Sequence, residues 1–170
     1  VHYYKVGLDG GEVTLLTPED ANHMVTPSPG GHHFIDVHST VASAPVALLR
    51  DAQGRLQREL ARADLTRLRA HGWVPPETFT VKARDGKIDL YGQLFKPSRF
   101  DQSAKYPIVT YIYPGPQVGS VRSRSFQPAH LDHQALAELG FVVIALDGMG
   151  TPMRSKAFQD VSYANMADNT

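Results

Sequence analysis

Short runs in which hydrophobic and polar side chains alternate fill the first part of the chain, to about residue 69. Such alternation is typical of β-strands with one buried face, and turn residues such as Asp9-Gly10-Gly11 separate the runs. Strands at this even spacing suggest one blade of a β-propeller or part of a sandwich, and a sheet this small needs neighbours to bury both faces. The predicted strands are 4–8, 13–16, 33–39, 46–50 and 55–59, with Ile35 and Val37 on a shared face.

A short helix is predicted over residues 61–71, with Asp64 able to cap its start and with Leu65 and Leu68 on one face. Trp73-Val74-Pro75-Pro76 ends this helix, because the proline pair forbids its continuation and marks a linker. Beyond this point the predicted strands become longer. We therefore divide the chain into residues 1–72 and residues 73–170.

The second part opens with longer strands. Strands are predicted at 78–83 and 87–95, followed by 108–113 and 141–146. The last two are almost continuously apolar, which is typical of strands buried on both faces.

A helix is predicted between these apolar strands, at 128–139. Pro128 suits its first turn, Gly140 suits the position just past its end, and Leu131, Ala135 and Leu139 lie along one face. Strand, helix and strand in this order predict a parallel βαβ unit, and so the opening of an α/β domain.

Composition excludes several classes of protein. The chain has 170 residues, with 17 Lys and Arg against 17 Asp and Glu, so it lacks the basic excess of a nucleic-acid-binding protein. Hydrophobic residues make up 42% and charged residues 20%, which argues against disorder. Cysteine is absent, so disulfides, a thiolate nucleophile and Cys-ligated metals are excluded. No apolar run approaches the roughly 18 residues that span a bilayer.

Two further kinds of site are not supported by the motifs. Gly148-Met149-Gly150 follows a strand, but Met153 stands where a dinucleotide motif has its third glycine. The histidines cluster only at His32-His33 with His38 and at His130 with His133, without the spacing of a known metal motif. We therefore predict no cofactor and no metal.

Tyr113 is the candidate for catalytic chemistry. In an open α/β sheet, ligands bind beyond the carboxyl ends of the strands, where Tyr113-Pro114-Gly115-Pro116 and Asp147-Gly148-Met149-Gly150 lie. A phenol held there by a rigid turn could donate a hydrogen bond to a developing oxyanion. The alternative is an aromatic residue at a strand end that only fills core volume. A serine nucleophile on Gly-x-Ser-x-Gly is absent from the chain.

The order and spacing of several segments resemble the prolyl oligopeptidase family of serine peptidases, and most closely its dipeptidyl peptidase IV branch. Lys105-Tyr106-Pro107, Tyr113-Pro114-Gly115-Pro116 and Asp147-Gly148-Met149-Gly150 resemble the start of its hydrolase domain. Tyr3-Tyr4-Lys5-Val6 with Asp9-Gly10-Gly11 resembles its final propeller blade, and the stretch from 73 to 95 resembles the entry to the hydrolase domain.

The resemblance implies a mixed β and α/β fold. The final antiparallel propeller blade, with a linker helix, would occupy residues 1–72, and the first strands of an incomplete α/β-hydrolase domain would occupy residues 73–170. It implies peptide cleavage after proline or a small residue, with Tyr113 stabilising the oxyanion. The nucleophile, the base and the orienting acid would lie beyond Thr170. Many members have Arg where this chain has Met149, so we carry over no catalytic role for that segment, and Asp147 is expected to order a turn.

We therefore expect a piece of a serine peptidase that is inactive alone, with both ends cut from a larger protein. The alternatives are an esterase on the same scaffold, or a non-catalytic binding module of propeller blade and hydrolase-like domain. By resemblance only, the longer protein would act on peptides, could form a homodimer, and would be periplasmic or secreted.

Overall fold

Contacts within the chain define two units. The structure is a computed structural model that describes residues 1–113, 115–121 and 124–164. Unit 1 comprises Val1–His71 with Ser123–Pro128, and unit 2 comprises Gly72–Arg122 with Ala129–Thr170. β-strands dominate both units and the helices are few and short. The assignment of residues 1–72 and 73–170 to a propeller and a peptidase domain stays a prediction.

Unit 1 begins with the predicted hairpin, which is confirmed but shorter than expected. Strands β1 (Tyr4–Lys5) and β2 (Thr14–Leu15) pair antiparallel. The Leu16 amide donates to the Tyr3 carbonyl at 2.9 Å, and the Tyr3 amide donates to Thr17 Oγ1 at 2.9 Å. Thr17 is fully buried, so this contact holds the base of the hairpin.

A four-stranded antiparallel sheet forms the largest part of unit 1. Its order is β3 (Asn22–Pro27), β4 (His33–Ser39), β5 (Val46–Asp51) and β6 (Leu56–Arg62), each paired with the next. The predicted strand at 33–39 and the predicted hairpin that follows it are confirmed. β3 was not predicted, because it begins with polar residues and ends on proline.

Strand β6 pairs irregularly with β5. The register of β6 against β5 shifts twice. One shift lies between Ala47 and Leu48 of β5, and the other lies between Leu49 and Arg50 of β5. Every residue of β6 is exposed, and the strand lies at one end of the described sheet. At each shift β6 has one residue more than β5, which is the pattern of a β-bulge and locally strengthens the twist.

The two faces of this sheet differ in burial. Ile35 and Val37 share a face as predicted, but it is the less buried one, with Ile35 40% and Met24 63% exposed. The opposite face carries Phe34, Asp36, Val46, Leu48 and Arg50, all buried.

A charged network lies at the centre of the buried face. Arg50 Nε donates to Asp36 Oδ2 at 2.9 Å, Nη2 donates to Glu19, and Nη1 donates to the Gly54 carbonyl at 3.0 Å. His23 Nδ1 lies 2.8 Å from Asp36 Oδ1. Burial alone would lower the pKa of Arg50, but its hydrogen bonds to Glu19 and Asp36 outweigh burial and raise that pKa. The guanidinium therefore stays charged inside the unit.

The predicted helix at 61–71 begins later than expected. Helix α1 covers only Thr66–Ala70, because β6 continues to Arg62 and pairs there with Val46. Asp64 is not the capping residue, because Leu65 occupies that position without a side-chain cap. Asp64 Oδ1 instead accepts a hydrogen bond from the Thr66 amide at 2.8 Å, one residue before the cap.

Unit 2 contains a mixed four-stranded sheet. Its order is β7 (Glu77–Lys82), β8 (Asp89–Phe95), β10 (Val142–Leu146) and β9 (Ile108–Tyr111). β7 with β8 and β8 with β10 pair antiparallel, whereas β9 and β10 are parallel. The parallel pair confirms the predicted βαβ unit.

The prediction that β9 is buried on both faces is wrong. Ile108 is 64% exposed, and burial alternates weakly along the strand. β9 is the end strand of the described sheet, so fewer neighbours cover it. β10 has a strand on each side, and its Val143 and Ala145 are fully buried.

The prediction for the crossover helix is also wrong in its start and its buried face. Helix α2 covers only His133–Glu138, and Leu131 precedes it with a positive φ of 51°. The predicted apolar face of Leu131, Ala135 and Leu139 is exposed. His133 and Ala137 face the core instead, and Ala137 clusters with Phe95, Val143 and Ala145.

Two histidines pack on the Phe95 ring in this core. The centroids of His130 and His133 lie 5.4 and 5.0 Å from that of Phe95. Burial lowers the pKa of His130, and the nearby His133 lowers it further.

The described chain ends in short helical turns that were not predicted. Helix α3 (Lys156–Gln159) leads into a 3-10 turn at Asp160–Ser162, and Ser155 Oγ caps α3 by accepting from the Phe158 amide. Within the described residues, no helix combines the length and the apolar character that crossing a membrane requires.

We predict that Arg50→Met destabilises the sheet of unit 1 strongly. The substitution keeps much of the side-chain volume but leaves Asp36 buried without its guanidinium partner, which typically costs about 3–5 kcal/mol. Hydrogen exchange of the β4 and β5 amides measures this as a lower free energy of local opening.

Arg62→Met is the matched control for this prediction. Arg62 lies on the neighbouring strand and pairs with Glu59 in solvent, so its replacement should change amide protection little. Equal protection in the Arg50 and Arg62 variants would contradict a stabilising role for the buried network.

We also predict that unit 2 loses stability as the pH falls below about 7. The unfolded chain takes up a proton on His130 near the ordinary histidine value of about 6.5, whereas the folded state resists protonation because its pKa is lowered. The contribution of neutral His130 to stability is therefore complete above the pKa of His130 in the unfolded chain. It is lost as the pH falls through the lower pKa of His130 in the folded state. Urea unfolding at several pH values, followed by fluorescence of Trp73, the only tryptophan, measures this loss.

His130→Leu should flatten this pH dependence, because no proton can then bind at position 130. His32→Gln, at an exposed histidine, is the control and should leave it unchanged. An equally steep loss of stability in the His130 variant would contradict the assignment.

Candidate functional site

The carboxyl ends of β9 and β10 lie at the same edge of the sheet, because the two strands are parallel. Their register pairs Val142 with Ile108 and Ala145 with Tyr111. The segment that begins at Tyr113 and the segment that begins at Asp147 therefore leave the sheet side by side. In open α/β sheets this edge is where ligands bind.

Tyr113 lies two residues beyond the end of β9 and is half exposed, with 49% of its surface accessible. Its backbone amide donates to Ser120 Oγ at 2.6 Å. Ser120 is buried, so the hydroxyl that accepts this bond is shielded from water. The backbone at Tyr113 is thus anchored while part of its surface stays accessible. Pro114 lies outside the described residues.

Asp147 orders the neighbouring loop. The Val121 amide donates to Asp147 Oδ1 at 2.9 Å. A Cβ at Gly119 would lie 2.6 Å from the same oxygen, so only glycine lets the loop backbone approach the carboxylate this closely. The expectation that Asp147 orders a turn is confirmed, although that turn follows β9 rather than Asp147 itself.

Further contacts hold the segments on either side of this edge. Gln159 Nε2 donates to the Pro116 carbonyl at 3.2 Å, which ties α3 to the loop after Tyr113. Thr151 Oγ1 donates to the Gly148 carbonyl at 3.0 Å. Gly150 has a φ of 87°, and a Cβ there would lie 2.9 Å from Ser162 Oγ.

This arrangement offers a phenol hydroxyl on a fixed backbone. Such a hydroxyl can donate a hydrogen bond to a negatively charged oxygen, and it acts best when no reorganisation is needed during the reaction. Sequence reasoning found Tyr113 and the Asp147 segment but missed Ser120 and Gln159. Their contacts join residues that are 7 and 43 positions apart, and no local motif marks such pairs.

The histidines that cluster in the sequence lie in different surroundings. His32 and His33 are exposed at a turn, whereas His38 packs near His23, with 5.1 Å between their ring centroids. His130 and His133 contact Phe95 rather than forming a shared ligand set.

One group of four residues has the geometry of a metal site that the sequence did not predict. Ligand atoms of Glu19, His23, Asp36 and His38 lie within 4.8 Å of one another. The guanidinium of Arg50 already binds both carboxylates of this group, and both oxygens of Asp36 are engaged by Arg50 and His23. A metal ion would have to displace the Arg50 guanidinium or lie close to it, and two positive charges repel strongly at short range. We therefore assign the group to the stability of unit 1.

Comparison with known proteins identifies relatives along nearly the whole chain. Human dipeptidyl peptidase 8 is 31% identical over 166 residues, which cover 93% of this chain and 18% of the human protein. A protein of Emericella nidulans named as a dipeptidyl-aminopeptidase B is 28% identical over 174 residues, covering 97% of this chain and 18% of the fungal protein. No family model matches the chain.

The fold has a counterpart among solved structures. A crystal structure described as a dipeptidyl aminopeptidase IV from Bacteroides ovatus superposes with a TM-score of 0.78 at 28% identity, covering 94% of this chain and 23% of the other. The chain thus spans about a fifth of the length of the proteins that it matches. These matches cover 93%, 97% and 94% of the chain and therefore extend through both units. The chain therefore belongs to the prolyl oligopeptidase family, among its dipeptidyl peptidase IV-like members.

Proposed function

We propose that this chain is part of a serine-type dipeptidyl peptidase and supplies the oxyanion donor of its active site. Residues 1–72 form the last blade of a propeller with a linker helix, and residues 73–170 form the first strands of the peptidase domain. The names of the relatives support this assignment, since they are those of dipeptidyl peptidases and dipeptidyl aminopeptidases.

The strand topology supports both halves of the proposal. Strands β3–β6 form a four-stranded antiparallel meander, which is the repeating unit of a propeller blade. Strands β7–β10 form a mixed sheet with a parallel crossover, as expected at the start of a hydrolase domain.

The chemistry assigned to the longer protein is acyl transfer. A serine attacks the peptide carbonyl, a histidine takes the serine proton and later gives it to the leaving amine, and an aspartate orients the histidine. These three groups come from the remainder of the longer protein. The Tyr113 hydroxyl donates to the carbonyl oxygen as that oxygen becomes negatively charged.

The placement of Tyr113 carries this proposal. Its hydroxyl belongs to a half-exposed residue just beyond the carboxyl end of β9, and its backbone amide is anchored to buried Ser120. A residue that only filled core volume would be buried. The accessible surface of Tyr113 favours a group that meets a substrate.

We predict that Tyr113→Phe in the full-length protein lowers kcat with little change in KM. The substitution keeps the ring and removes a donor whose contact is stronger in the transition state than in the ground state. Loss of one such donor typically costs about 10²–10³-fold in kcat. Steady-state kinetics on a Gly-Pro reporter substrate, with a melting curve to verify folding, measures the effect.

Tyr111→Phe is the matched control. Tyr111 lies two residues earlier on β9 and packs against the His133 ring, with 4.8 Å between the centroids. Its hydroxyl is assigned no role in the reaction, so kcat should stay near that of the unchanged protein. A normal kcat for Tyr113→Phe would overturn the oxyanion assignment.

We further predict that residues 1–170 alone hydrolyse neither Gly-Pro nor Ala-Pro reporter substrates above background. An oxyanion donor has no tetrahedral intermediate to stabilise when no nucleophile attacks. Release of chromophore by the purified chain checks this. Turnover that resists a serine-directed inhibitor would show that a different site carries the chemistry.

A further inference from the structure

We infer that Asp147 and Ser120 are positioning residues for Tyr113, and that they hold the loop after β9 in the orientation that the hydroxyl requires. This inference rests on the proposed function of Tyr113. Both residues act through backbone hydrogen bonds, and neither is assigned a contact with the substrate.

Ser120 fixes Tyr113 itself. The hydrogen bond runs from the Tyr113 backbone amide to Ser120 Oγ over 2.6 Å and closes a loop of seven positions. The amide nitrogen is bonded directly to the Cα that carries the ring, so this contact limits where the Cα–Cβ bond can point. Because Ser120 is buried, water has little access to replace its hydroxyl.

Asp147 fixes the far end of the same loop. Its Oδ1 accepts from the amide of Val121, which follows Ser120 and is 2% exposed. Asp147 directly follows β10, and β10 is in register with β9. The carboxylate therefore links the returning loop to the strand beside the one that leads into Tyr113.

Gly119 leaves room for the Asp147 carboxylate in this contact. A Cβ there would lie 2.6 Å from Asp147 Oδ1 and 3.0 Å from Cγ. The carboxylate occupies the space that a side chain at position 119 would need. Any larger residue must displace Asp147 or move the loop.

A small displacement of the loop would be enough to slow the reaction. An oxyanion donor must lie about 2.7–3.1 Å from the oxygen as it becomes charged. Misplacement of a catalytic group by about 1 Å can cost 10²-fold in rate. A change at Asp147 or Ser120 should therefore lower kcat without removing the hydroxyl.

The test uses the full-length protein and a Gly-Pro reporter substrate. Asp147→Ala and Ser120→Ala should each lower kcat by up to about 10²-fold, with KM and the melting temperature little changed. Asp147→Asn retains an oxygen that can accept from the Val121 amide, so it should keep most of the activity. An Asn variant as slow as the Ala variant would overturn the hydrogen-bond route.

A double-mutant cycle separates positioning from a general structural role. Adding Asp147→Ala or Ser120→Ala to Tyr113→Phe should cause no further loss of kcat, because the hydroxyl that they position is already gone. Gly119→Ala should behave like Asp147→Ala in both backgrounds. Effects that multiply in the cycle would overturn the inference.

The outcomes distinguish this inference from the proposed function. If Tyr113→Phe lowers kcat while Asp147→Ala and Ser120→Ala do not, the oxyanion role stands and positioning is overturned. If Tyr113→Phe leaves kcat unchanged, the proposed function fails and positioning fails with it. If Asp147→Ala does not fold, the Ser120→Ala cycle decides the question by the same criterion.

Discussion

Parallel hydrogen bonding between β9 and β10 is the constraint on which the candidate site depends. Parallel strands require a crossover, and α2 supplies it while burying Ala137 against β10. The same pairing brings both carboxyl ends to one edge of the sheet. Tyr113 and Asp147 are 34 positions apart in the sequence. The register of β9 and β10, which has only four residue pairs, nevertheless brings them close enough for one loop to contact both.

The two units hold their buried charged and histidine side chains in different ways. Unit 1 places a forked guanidinium between two carboxylates, so the direction of each hydrogen bond limits how the strands can shift. Lysine would not reproduce this geometry, because its ammonium is a point charge without a planar fork. Unit 2 instead packs histidine rings edge-on against Phe95, where shape and burial dominate.

Strand positions and the parallel unit were predictable because they depend on local pattern. Apolar runs bounded by glycine and proline located β4, β5, β8 and β10 closely. β3 escaped prediction because Asn22 and His23 begin it, and His23 is buried by its contact with Asp36, which no local pattern indicates. The predicted burial of β9 failed because periodicity describes a strand but not what covers it.

The candidate site was predictable only in part for a similar reason. Tyr113 could be found because it lies at the end of an apolar run before glycine and proline. The partners that anchor it lie in a loop and on a later strand, and their contacts depend on the folded loop. Leu131 illustrates the same limit, since its positive φ places the start of α2 after the residue that the helical pattern had included.

The two bulges of β6 have a consequence for association between chains. An added strand needs donors and acceptors at regular spacing, and each bulge shifts that spacing by one residue. Arg58, Glu59 and Arg62 add charge along the same strand. The outer side of β6 is therefore a poor template for recruiting a foreign strand, which protects an otherwise exposed edge from the pairing that begins amyloid-like aggregation.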